Sequence, residues 1–474
     1  MPVRHDEVER IIESLIAAVL QIDPHSVVDD LEYRSIMEWD SLAHITLMLH
    51  LEESFGVEID SDRVAELASV RKIKHFLIPG DHSIPTARPA TPEPNDVLAS
   101  PVGAKQEHVR RGLAGVYVDH SSVTAISGTD GVLAYRGYDI GDLVERSTFE
   151  ETAFLLVRGE LPTQAELAIA DAEMRKAREI PEELLPVLRS VARAHPIAAL
   201  RTGLSVLGSI EPDAELVGSP GVAAIARAPT IVATHHRIRS GLQPIPPRGD
   251  LSHAANYLWM LTGKEPDEYA AHVIERILIL HADHGSNASA FAGRVVASTR
   301  SDLYAALVAA VAAFAGDLHG GAIENVATLV EEIGEADNAE TYVRALQAQN
   351  KPVMGFGHRV YQTEDPRARH LGGLARELSE RLDEPRYVAI LDAVVEAMAP
   401  YAAKGVNINV DFYAGVIYQL LGLPKDLFVS TFAIGRLPGW VAQVQEQYTN
   451  NILIRPLLDY VGPKPRAYVQ VSER

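Results

Sequence analysis

Cysteine is absent from the 474 residues, and with it go disulfides, thiolate metal sites and a cysteine nucleophile. A cysteine-free chain suits a reducing compartment. Positive charge is scarce as well: 43 Lys and Arg face 64 Asp and Glu, a formal net charge of −21, so neither nucleic acid nor an anionic membrane is an expected partner. Long hydrophobic runs are missing too. The most apolar stretch, 303–314 between Asp302 and Asp317, is far shorter than the roughly 20 residues of a membrane span, and it reads as a buried helix. The start, MPVRHDEVER, is charged and has no apolar core of a secretory signal, so the expected location is the cytoplasm. Aromatics reach only 6% beside 47% apolar residues, ordinary values for a helix-rich globular chain.

What is present divides unevenly. At this length two or three domains are expected. Residues 1–80 hold sixteen Asp or Glu against seven Lys or Arg, a net −9 in a small part of the chain. Ile12, Leu15, Ile16 and Val19 recur at helical spacing. A second helix begins at Ser41 and continues through Leu42, Ile45, Leu49 and 52–55, and a third is expected over 64–77. Asp40 or Ser41 can cap the second helix. These features predict a small acidic helical bundle over 1–79. Pro85, Pro89, Pro92, Pro94 and Pro101 then lie among Thr, Ala, Ser and Glu without an apolar period, which predicts an extended spacer over 80–107. From 108 to 474 the pattern is helix after helix, with strand-like alternation only around 116–135. The expected fold class is all-α.

Chemistry-bearing residues concentrate in this larger part. His281 and His284 stand in LHADHGSN, His319 in GDLHGG, His358 in MGFGHRVY and Asp411 in NVDFYAG. Each lies beside glycine or a helix terminus, where backbone can approach a ligand and donors are unpaired. A lone histidine is more often a core residue; three glycine-flanked ones weaken that reading. The i, i+3 spacing of His281 and His284 also allows a zinc pair completed by Asp283 or another histidine, but no HExxH follows and no metal is expected. Arg359, Arg367, Arg369, Arg436 and Arg455 suit a substrate with carboxylates, which guanidinium forks hold in bidentate fashion. Taken singly, each is also consistent with a surface ion pair.

The run WDSL followed by LMLHLEESFGVEID resembles the acyl carrier proteins over residues 5–78, although an Asp-Ser pair alone is also a plain helix cap. The resemblance implies that Ser41 carries a covalent 4′-phosphopantetheine installed by a phosphopantetheinyl transferase. It also implies that Asp40 and Leu42 are read by that transferase and that the acidic second helix docks on basic partners.

A second resemblance covers roughly 110–465. GLAGVYVDHSSVTAISGTDGVLAYRGYDIGDL, FEETAFLLVRGELPT, LHADHGSNAS, GDLHGGAIENV, MGFGHRVYQTEDPRARHL, NVDFYAGVIYQLLG and IRPLLDYVGP are similar, in this order, to citrate synthase. That implies a mostly helical homodimer spanning 108–474, with a small domain near 320–409 that closes over substrate. It implies Asp411 as the base that deprotonates the acyl thioester, His319 as the donor to the thioester oxygen and His358 as the group that polarises the ketone of oxaloacetate. His284, Arg367 and Arg436 match substrate-holding residues, and Arg455 an arginine reaching the other subunit's site. Coenzyme A would carry the acyl group. Two departures stand out: Gln362 where bacterial relatives read HRVYK, and Leu457 where they read RPR. Both remove positive charge expected to face coenzyme A phosphates, and neutral drift at surface positions is the alternative. The expected activity is condensation of an acyl thioester, on coenzyme A or on the carrier, with oxaloacetate or a related 2-oxo acid, followed by thioester hydrolysis. A 2-methylcitrate synthase using propionyl-CoA and a non-catalytic scaffold displaying the carrier are the competing readings.

Overall fold

The computed structural model describes residues 5–33, 35–36, 38–39, 41–57, 59–78, 111–113, 115–210, 219–349, 351–402 and 405–474. The expected spacer over 80–107 lies outside these residues, as does Asp40. In the amino-terminal unit, the helix His5–Leu20 buries Ile12, Ile16 and Val19 against Ile45, Leu47, Met48 and Leu51 of the helix Ser41–Phe55. The third helix expected over 64–77 is instead two, Ser61–Glu66 and Val70–Leu77. The break has a backbone cause. Tyr33 N–H donates to Ala68 O at 2.9 Å and Val70 N–H to Leu31 O at 3.0 Å, groups that a continuous helix would have spent internally. Ser69 then caps the second helix by accepting from Lys72 N–H. Just before Ser41, the fully buried Trp39 donates from Nε1 to His44 Nδ1 at 3.1 Å. Its acceptor role leaves the His44 proton on Nε2, which donates to Val64 O at 3.0 Å and ties the approach to Ser41 to the core.

The body is helical apart from one antiparallel sheet among the described residues, in the order Thr124–Ser127, Val132–Tyr135, Tyr138–Asp139. Its first two strands fall within the 116–135 stretch where alternation was expected and the third lies beyond it; Thr124 pairs with Tyr135. The apolar stretch forms the helix Leu303–Phe314, capped by Asp302, with Leu303, Leu307, Val311 and Phe314 buried. No helix among the described residues is long and apolar enough to cross a membrane. The helix Phe428–Thr449 is buried on nearly every face between Phe428 and Val444, the pattern of a central core helix. It carries Arg436 into the interior. Beside it, the helices Glu268–His281, Ala288–Ser298, Pro366–Leu382 and Val410–Leu420 begin or end around one region, so several helix termini can present polar groups there.

Candidate active site

Close backbone approach builds the site. Gly355 has φ +85°, and a Cβ there would come within 3.0 Å of Phe412 Cα, so only glycine lets the loop 351–365 lie against the helix Val410–Leu420. Asn409 N–H donates to Gly355 O at 2.9 Å, and Gly357 N–H donates to Asn407 O at 2.8 Å. The hairpin closes the other side: Gln362 N–H donates to Gly128 O at 3.0 Å, where a Cβ on Gly128 would collide with Val360 O. His358 and Asp411 are thereby fixed relative to each other through backbone.

Within this frame the ring tautomers follow from hydrogen bonds. Val360 N–H and Tyr361 N–H both donate to His358 Nδ1, at 2.9 and 3.1 Å, so the His358 proton resides on Nε2. Burial, reinforced by the Arg367 charge, pushes the ring down to about 4, and His358 is a neutral donor near pH 7. The turn between two helices presents His319. Its Nε2 lies 2.8 Å from Ser289 Oγ and receives Ser289 N–H at 3.3 Å, while Trp440 Nε1 donates to the same hydroxyl at 3.0 Å. Ser289 N–H can only donate, so Nε2 accepts and the His319 proton sits on Nδ1, with the Asn287 Oδ1 acceptor 3.2 Å from the same Nε2; burial and Arg436 bring this ring to about 3. His284 pairs through Nε2 with Tyr361 Oη at 3.2 Å, its ring 5.1 Å from that of His358. Burial and Arg367 hold it well below the usual histidine range.

Asp411 occupies the first turn of the helix Val410–Leu420, whose cap is Asn409 Oδ1, accepting from Asp411 N–H at 3.0 Å. Its own carboxyl is left over. Oδ1 is buried without a hydrogen-bond partner, and burial, opposed by Arg367 and Arg436 and aided by Asp365, raises the group to about 7. Two guanidinium groups supply positive charge. Arg367 is 2% exposed and spends Nε and Nη2 on Asp365, at 2.9 and 2.7 Å. Burial alone would lift the Asp365 carboxyl, but Arg367 holds it below its ordinary value. Arg436, also 2% exposed, donates from Nε to His281 O at 2.5 Å and stacks near Phe432 and Phe314. No carboxylate among the described residues pairs with it directly; burial, offset by Asp283, lowers it to about 10, so it remains a cation awaiting an anion.

Not every sequence candidate joins this group. His281 stacks on Phe432 with centroids 3.6 Å apart, and its Nε2 is buried without a partner; it faces a different set of neighbours from His284. Arg369 pairs at the surface with Glu364. The exposed Arg359 donates to Gly112 O at 3.4 Å. Arg455 is exposed in a segment without regular secondary structure. Ser41 opens its helix, while its side chain and that of Leu42 lie outside the described residues. Conversely, Tyr361, Asp365, Asn287, Ser289 and Asn409 were not singled out from sequence. Three carried a signal: Asn287, Asp365 and Asn409 are helix caps, and Asp365 precedes a proline at the first helical position.

Comparison with known proteins bears on the whole chain. The family "Citrate synthase, C-terminal domain" matches residues 112–457, and "Phosphopantetheine attachment site" matches 10–77. The citrate synthase of Deinococcus radiodurans is 40% identical over 77% of this chain and 99% of that protein. A Mycobacterium tuberculosis 2-methylcitrate synthase is 39% identical over 78% of this chain and 94% of its own length. Among solved structures, Pyrobaculum aerophilum citrate synthase superposes with a TM-score of 0.73 at 39% identity, covering 77% of this chain and 95% of that one. The chain belongs to the citrate synthase family and carries a phosphopantetheine-attachment domain ahead of its synthase body.

Proposed function

We propose that the body, residues 108–474, condenses an acyl thioester with oxaloacetate and hydrolyses the product thioester, with the segment 320–409 closing over the substrates. The observation that carries this reading is Asp411, a carboxylate with one unpaired buried oxygen raised to about 7. A base must remove a weakly acidic proton from carbon, and a raised carboxylate is a stronger base at neutral pH. It works only if the oxyanion formed is stabilised at once. His319, neutral with Nδ1–H unspent, donates to the thioester oxygen as the enolate forms. The enolate carbon attacks the ketone carbon of oxaloacetate, whose oxygen accepts a hydrogen bond from His358 Nε2–H and collects a proton. Arg436 and the unspent Nη1 of Arg367 hold the carboxylates, with His284 beside them. Water then cleaves the thioester, leaving acid and thiol. Thermoplasma acidophilum citrate synthase, 30% identical with a TM-score of 0.74, was solved with carboxymethyl coenzyme A and oxaloacetate, which supports both substrate classes.

The acyl group is acetyl in this reading, and propionyl is the second, because the 2-methylcitrate synthase relative is as similar as the citrate synthases. Steady-state kinetics with acetyl and propionyl thioesters decide between them; no turnover of either with oxaloacetate, whether on coenzyme A or on the primed chain, would overturn the proposal. Ser41 is the expected phosphopantetheine site within a carrier over 1–79 joined by the spacer 80–107. A helix N-terminus suits the phosphodiester, because its N–H groups and positive end favour an anion, and the attached arm would supply a thiol for acyl groups. A phosphopantetheinyl transferase would install it, in the cytoplasm. Exposed apolar side chains near both ends of the body, Tyr117 at 98% and Leu458 at 95% exposure, support a dimer in which the tail bearing Arg455 meets a second copy; light scattering would test this.

A further inference from the structure

The chain leaves the synthase body beside the candidate catalytic loop. Gly112, with φ +67°, lies against Arg359 so closely that a Cβ there would be 2.7 Å from Nη2, and Arg359 Nη2 donates to Gly112 O at 3.4 Å. Arg359 directly follows His358. The point at which the amino-terminal part joins the body is therefore one side chain away from the loop that fixes the His358 tautomer. Between Ile78, the C-cap of the last carrier helix, and Arg111 lie 32 residues, 79–110. A chain of that length spans about 30 Å as a coil and about 100 Å if fully extended, so the attachment position can return to the site from which its tether starts. Tethering at such lengths corresponds to an effective concentration on the order of millimolar. On the same loop, Gln362 presents a neutral amide, its backbone held by Gly128 and by Asn407 Nδ2 at 3.1 Å, and Leu457 is 86% exposed. Neither carries the positive charge that would form an ion pair with a phosphate of coenzyme A; a donor attached to the carrier needs no such ion pair.

Resting on the condensation proposed above, we infer that the body takes its acyl donor as a thioester borne on Ser41 of the same polypeptide. Asp411 removes a proton from the α-carbon of the carrier-bound acyl group. The resulting carbon nucleophile forms the C–C bond to the ketone carbon of oxaloacetate, and the ketone oxygen ends protonated. Water breaks the C–S bond, its hydroxyl going to the acyl carbon and its remaining proton to sulfur, so that free tricarboxylate and the carrier thiol result.

The test uses the full chain, primed and loaded with an acetyl group. Before oxaloacetate is added, hydrogen exchange in 354–365 should slow in the acetyl form relative to the unprimed form; no change there would count against docking at this loop. On adding oxaloacetate, intact mass should show loss of acetyl with a rate constant independent of protein concentration over a hundredfold range. Co-expressed Ser41→Ala and Asp411→Asn chains, after the same priming and acetylation, should retain the acetyl group, since neither chain has both carrier and base. Consumption of about half of it would overturn same-chain delivery. An acetylated carrier that stays inert while free acetyl-CoA is condensed would overturn the carrier as donor and leave the condensation standing. Inertness of both donors would overturn the two together.

Discussion

Two helices of the body begin with an aspartate near Arg367, and their first turns end in opposite electrostatic states. At Pro366–Leu382, Asp365 is itself the cap: its carboxylate accepts Arg367 N–H and grips the guanidinium through two further bonds. Both oxygens have donors, and the group stays anionic despite full burial. At Val410–Leu420 the cap is the neutral Asn409, so Asp411, two residues on, has no donor at Oδ1 and rises to about 7. Residue type is the same in both. The partner list decides that one aspartate anchors a cation and the other is available as a base.

The sharpest way to break this contrast is Asp411→Asn, which should reduce kcat by roughly 10²- to 10⁴-fold while calorimetry still detects oxaloacetate binding through the arginines. Comparable in energy, Asp365→Asn strands a buried guanidinium and should lower the unfolding free energy by about 3–5 kcal/mol, measured by urea denaturation. The two should also differ in pH response. Because the folded-state value of Asp411 is raised from 3.8 to about 7, kcat/KM for the acyl donor should climb through that region as the base is unmasked. Its contribution to stability has the opposite slope: it is fully present below about pH 4 and is lost as pH rises through about 7. The stability difference between wild type and Asp411→Asn should therefore shrink or reverse over that window in denaturation curves taken at several pH values. Asn409→Ala removes the cap and the Nδ2 bond to Gly357 O, with an expected cost of about 1 kcal/mol and a poorly placed His358 read as a lower kcat. Similar in size, Tyr361→Phe keeps the backbone N–H to His358 and loses only the hydroxyl at His284. A loss of about 1 kcal/mol should raise KM for oxaloacetate several-fold with kcat little altered.

Much of this site could be read from residues in order. Glycine flanks pointed to His319 and His358, and the position of Asp411 at a helix start was visible in NVDFYAG. The three caps Asn287, Asp365 and Asn409 were legible in principle, since capping is local chemistry within three residues. Tyr361 and Ser289 were not, because their partners His284 and His319 lie 77 and 30 residues away. The divided helix at 64–77 was missed for the same reason: what interrupts it is the backbone of Leu31 and Tyr33.

By itself the sequence determined the helical periodicity, the uneven distribution of acid, the membership of two families and the identity of the candidate reactive groups, all of which depend on residue type and short spacing. Tertiary structure alone decided how those groups behave. Protonation at Asp411, the proton positions on His319 and His358, the satisfied fork of Arg367 and the unpaired charge of Arg436 follow from burial and from partners far along the chain. Desolvation and hydrogen-bond competition act through space, and the fold sets which groups share that space.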